Sequence, residues 1–76
     1  MRTEAQKRFR ELLIAARKKA DLTQAELSSR LKRPQSFVSK YERGERRLDV
    51  VEFADVARAL GVEPVQFLAK LYREIS

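Results

Sequence analysis

The sequence predicts an all-α fold, a compact five-helix bundle, and three observations carry that prediction. Apolar residues recur three and four apart in each long segment, which places them on one face of a helix. Two pairs, Thr23 with Glu26 and Asp49 with Glu52, have the spacing of a capping box, the side-chain exchange that opens a helix. Both prolines and both glycines fall between the periodic segments. No segment alternates with the period of a strand, and no repeat, low-complexity tract or linker interrupts the 76 residues. That length suits one domain, 1–76, with a modest core.

The first helix is expected over residues 3–19, with Thr3 placed to cap it. Phe9, Leu12, Leu13 and Ala16 form its apolar stripe and Ile14 its edge, while Lys7, Arg8, Arg10, Arg17 and Lys18 lie mostly around the rest. Asp21 and Leu22 make a short connection, and Thr23 opens a second helix carrying Leu27 and Leu31. Proline disfavours helical geometry at the residue before it, so this helix stops by Arg33. A third helix restarts at once, because Pro34 or Gln35 can occupy a first-turn position where an unpaired N–H costs little. It runs to Arg43, with Gly44 free to take a left-handed cap. Val38 and Tyr41 face its core side. Asp49 opens a fourth helix over Val50–Leu60 with core candidates Phe53, Val56, Ala57 and Leu60, closed by Gly61. Pro64 starts the last helix, about 64–75, which carries Phe67, Leu68, Leu71, Tyr72 and Ile75.

Composition narrows the function. Without cysteine or histidine there is no disulfide, no thiolate or imidazole metal site, and no histidine general base. With no Gly-rich phosphate loop either, an enzyme is set aside, and no metal or cofactor is expected. The basic N-terminus lacks an uninterrupted apolar core, so it is not a signal peptide. No apolar run approaches the roughly 20 residues that span a bilayer. The expectation is a soluble, cytoplasmic protein that does not bind membranes.

The net charge of +6 is unevenly placed. Residues 1–19 and residues 30–47 each hold seven Lys or Arg against two Glu, while the segments between and after them are acidic. A positive block laid over two short helices joined by a tight break points to a polyanion. The outward face of the third helix carries Gln35, Ser36, Ser39 and Lys40, side chains whose reach suits base edges in a major groove. These residues read as a helix-turn-helix for double-stranded DNA, formed by helices 2 and 3, with the helix around 35–43 in the groove.

The stretch Gln24-Ala25-Glu26-Leu27, then Leu31, Val38 and Tyr41-Glu42-Arg43-Gly44, then Phe53 and Ala57-Arg58-Ala59-Leu60-Gly61-Val62, resembles the phage repressor and Cro family, the xenobiotic-response-element type of bacterial regulator. The resemblance covers about Arg17 to Leu68. It implies base-reading roles for Gln35, Ser36 and Lys40, with Ser39 as their neighbour. It implies phosphate contacts for Gln24, which also buttresses Gln35, and for Arg43, Arg46 and Arg47. Arg17 and Glu42 match positions that pair in the family. Ser28 keeps the family's small residue. The chain departs from the pattern at the turn: Lys32 and Arg33 stand where Gly and an aliphatic residue are usual, and Pro34 stands where Ser or Thr caps the recognition helix. Lys32 is therefore added to the phosphate contacts. Two placements are open for Phe37: outward, against the sugar-phosphate chain or a thymine methyl, or folded back onto the second helix as a core-edge residue.

Members of that family dimerise on near-palindromic operators, with recognition helices about 34 Å apart. By that resemblance the chain is expected to be a transcriptional regulator, a repressor acting as a homodimer. With no separate dimerisation domain, Leu71, Tyr72 and Ile75 are the candidate dimer surface. The alternative is a protein-binding module, such as an antitoxin that pairs with a toxin and also binds its own promoter.

Overall fold

The computed structural model describes residues 3–76, and all helix and contact statements below concern those residues. Five helices follow one another: α1 (Thr3–Lys19), α2 (Gln24–Arg30), α3 (Ser36–Glu42), α4 (Val50–Leu60) and α5 (Pro64–Ile75). None of them is long and apolar enough to cross a membrane, and among the described residues there is no strand.

Both capping boxes form. Thr23 Oγ1 accepts from the Glu26 N–H at 3.0 Å while Glu26 accepts from the Thr23 N–H at 2.8 Å. Asp49 and Glu52 make the same exchange at 2.7 and 3.0 Å. Glu63 accepts from the Val65 and Gln66 N–H groups ahead of Pro64, which stands in the first turn of α5. Thr3 is already helical, so it is not the cap of α1; that position lies outside the described residues.

The four inner helix ends share one device. A left-handed residue, Asp21, Lys32, Gly44 or Gly61, turns the chain so that two successive N–H groups reach back to the last free carbonyls. At the end of α2, Lys32 N–H donates to Ser29 O and Arg33 N–H to Ser28 O, both at 3.0 Å. This is a Schellman closure. Lys32 holds it at φ 56°, a conformation glycine would adopt without a steric penalty. Glycine is the residue this backbone accepts most readily, and Lys32 is held in the same geometry.

The helices close over a cluster containing Leu13, Leu22, Leu27, Val38, Tyr41, Phe53, Val56, Ala57 and Leu60. Phe9, Phe53 and Phe67 meet ring to ring, with centroids 5.3 to 6.0 Å apart, and so join α1, α4 and α5. Ser28 is buried between α2 and the start of α3, its hydroxyl donating to Gln35 O at 3.2 Å. A larger side chain there would push the two short helices apart. Burial also sets the relation of Phe67 to the rest of α5. Leu71 and Ile75 continue its half-buried line at four-residue intervals, while Val65, Leu68 and Tyr72 lie on the exposed side, Tyr72 at 70% exposure.

Candidate nucleic-acid interface

Seven residues make α3, and its two faces differ sharply. Phe37, Val38, Tyr41 and Glu42 are buried. Gln35, Ser36 and Lys40 are exposed on the other side, with Arg43 at the helix end. Gln35 has helical torsions, φ −54° and ψ −33°, without a side-chain cap, so its amide is not committed to the helix start. Ser39 is half-buried and its hydroxyl donates to Ser36 O at 3.1 Å, leaving it an acceptor toward solvent. The expected reading face is therefore presented, with Ser39 recessed.

Behind that face, the carboxylate of Glu42 gathers two helices. It accepts from Arg17 of α1 through two bonds, at 2.7 and 3.1 Å, and from the Gln24 amide of α2 at 2.7 Å. A third donor of Arg17 goes to Leu22 O at 2.8 Å. The Arg17–Glu42 pair is side chain to side chain and almost dry, at 12% and 4% exposure. Gln24 is bound to Glu42, so it supports α3 from behind.

Phe37 takes the second of its two placements. Its ring is buried, 5.6 Å from the Tyr41 ring, so it is withdrawn from the set of phosphate contacts. Helix geometry explains this: Phe37, Val38 and Tyr41 lie on the same side as the core, and an aromatic ring gains more by burial than by exposure. The guanidiniums of Arg33 and Arg46 stand over the Phe37 ring, at 4.6 and 4.9 Å from its centroid. Both also reach Glu52 of α4. Arg46 donates from two nitrogens, at 2.9 and 2.5 Å, and Arg33 from one, at 3.4 Å. Hydrogen bonds from Arg46 first, and then from the Asp49 N–H, pull the Glu52 carboxyl down to about 2.

Three more basic residues, Lys32, Arg43 and Arg47, are exposed around α3. Arg43 forms an exposed pair with Glu45 at 2.8 Å. Lys32 is exposed at the turn, and Arg47 in the loop before α4. The sequence did not single out Arg10. Its guanidinium lies against Gly44, whose added Cβ would come within 3.1 Å of it, so the left-handed turn after α3 rests on α1. Nor did it single out Arg33 as a partner of Phe37, or Glu52 as the acceptor of Arg33 and Arg46. The cationic character of Arg33 and the N3 position of Glu52 were visible, but their meeting across 19 residues depends on the turn.

No group of three or more metal-binding side chains occurs among the described residues.

Comparison with known proteins agrees with this geometry. The helix-turn-helix family model matches residues 13–67. A solved structure, described as an XRE-family like protein from Pseudomonas syringae pv. tomato str. DC3000, is 49% identical. That match covers 95% of this chain and 88% of the other, with a TM-score of 0.92. No curated protein gives a significant match.

Proposed function

Because the chain belongs to the Cro/C1-type helix-turn-helix family of DNA-binding transcription regulators, we propose that it is a sequence-specific repressor that docks α3 in the major groove of a near-palindromic operator. The carrying observation is the division of α3 into a buried face and a polar, basic one. Gln35, Ser36 and Lys40 are the base readers, Gln by paired bonds to adenine and Lys by donation to guanine, with Ser39 as a secondary acceptor. Lys32, Arg43 and Arg47 flank them and meet phosphates, which fixes register without reading sequence. Gln24 offers its second amide N–H to a phosphate while the first holds Glu42. The 76-residue unit acts as a homodimer, since one short helix reads few base pairs. Its dimer surface is the exposed line Val65, Leu68 and Tyr72 of α5. Tyr72 lies on that line at 70% exposure, whereas Leu71 and Ile75 are half-buried.

Selection from random duplex DNA at near-physiological salt tests this reading. A near-palindromic consensus is expected, with its half-site spacing giving the separation of the two recognition helices. Salt-sensitive binding with no consensus would overturn it. Copurification of a toxin with no duplex bound would favour the antitoxin reading.

A further inference from the structure

We propose that Glu52 is an internal substitute for a DNA phosphate, holding Arg33 and Arg46 away from the backbone so that the interface grips random DNA less. The inference rests on the DNA-binding reading above and names a regulator of that same face. It starts from a crowding of charge. Two guanidiniums lie within 5 Å of one aromatic ring, on the turn before α3 and the loop after it. Two cations so placed repel each other and form a ready anion site, of the forked kind that carboxylates and phosphates both fill. The anion present is the Glu52 carboxylate, which takes three guanidinium bonds and one backbone bond. It belongs to the first turn of α4, where the capping box fixes it.

The position is accessible from solvent. Arg33, Phe37 and Glu52 line a groove of about 480 Å³ beside the turn, where the cations Arg30, Lys32 and Arg58 outnumber the one further carboxylate, Asp55. The Arg33 and Arg46 side chains are 41% and 37% exposed, so a polyanion can reach them once the carboxylate charge is gone. Phe37 supplies the flat surface that keeps both guanidiniums beside the recognition helix. The bonds from Arg46 and the Asp49 N–H hold the Glu52 carboxyl well below the ordinary carboxylate range, so it is charged near neutral pH.

Glu52→Gln tests this, because Gln keeps the capping geometry and removes the charge. The expected result is a steeper salt dependence on non-specific duplex, by about one to two units, and about eightfold tighter binding per added phosphate contact near 0.1 M salt. Discrimination in favour of the selected operator falls. Glu4→Gln on exposed α1 makes the same net-charge change and is expected to leave the slope unaltered. In the unmodified background Arg46→Ala leaves the slope unchanged, and in the Glu52→Gln background it lowers it. An unchanged or shallower slope in Glu52→Gln overturns the proposal, as does a one-unit loss in Arg46→Ala alone. If Glu52→Gln proves unfolded by circular dichroism, the Arg46→Ala slope decides. Should the wild type bind no duplex at all, the DNA reading falls, and heparin resin decides separately. Later elution of Glu52→Gln than of Glu4→Gln sustains the anion-substitute role, and equal elution ends it.

Discussion

Arg17 of α1 and Glu42 of α3 are joined by two parallel hydrogen bonds, Nε to Oε2 at 2.7 Å and Nη2 to Oε1 at 3.1 Å. The pair ties α3 to α1 from behind, through a contact that spans 25 residues of sequence. Its energetic character follows from burial. Taking both charges from water costs nearly what their attraction returns, but losing one partner strands the other.

Arg17→Met therefore destabilises the fold by about 3–5 kcal/mol, whereas Arg17→Met with Glu42→Leu recovers most of that loss. Urea unfolding of the three proteins checks it, and equal losses in the single and double variants would show that the pair is not the cause.

Much of this was legible from the sequence, for identifiable reasons. Capping boxes, proline and glycine act locally, so the helix boundaries followed from Thr23, Asp49, Gly44 and Pro64. The apolar face of α3 followed from spacing alone. The placement of Phe37 did not, because its ring stands at the edge of that face and the guanidiniums of Arg33 and Arg46 that cover it arrive from other segments. The outward line of α5 also escaped. Phe67, Leu68, Leu71, Tyr72 and Ile75 are all apolar or aromatic, and only the position of Phe9 and Phe53 decides which of them turn inward.

Lys40→Ala weakens binding to the selected operator by about 1–3 kcal/mol and affects unrelated duplex less. Arg43→Ala weakens both alike and lowers the salt slope by about one unit. Its exposed pair with Glu45 contributes little to the fold, so the variant stays as stable as the parent. Anisotropy titrations over a salt series distinguish the two behaviours; identical profiles for the two variants would refute the division into readers and phosphate contacts.

The left-handed helix ends give opposite expectations for two substitutions. Lys32→Gly relieves a side chain held at φ 56° and raises stability by about 0.5–1 kcal/mol. Gly44→Ala, at φ 81° and with Arg10 behind it, lowers stability by about 1–2 kcal/mol. Urea midpoints report both, and a shift of the same sign in each would count against the backbone argument.

Acid reports on Glu52. Its folded carboxyl titrates at about 2 instead of the ordinary 4.5, so its contribution is fully present above the ordinary value and fades as pH falls toward the lower one. The stability advantage of wild type over Glu52→Gln accordingly shrinks across that window. Thermal melts of the two proteins measured side by side give the difference; an advantage that stays constant down to the acid limit would mean that the carboxylate gains nothing from Arg46.

The most direct test of the account is a titration of ¹⁵N-labelled protein with the selected duplex, followed by amide chemical shifts. The prediction is that the largest changes fall on Gln35, Ser36 and Lys40 and on the loop from Arg43 to Arg47, with the buried residues of α4 little moved. Changes centred on α5 or on the outer face of α1, with α3 unaffected, would contradict the claim that the polar face of α3 reads DNA.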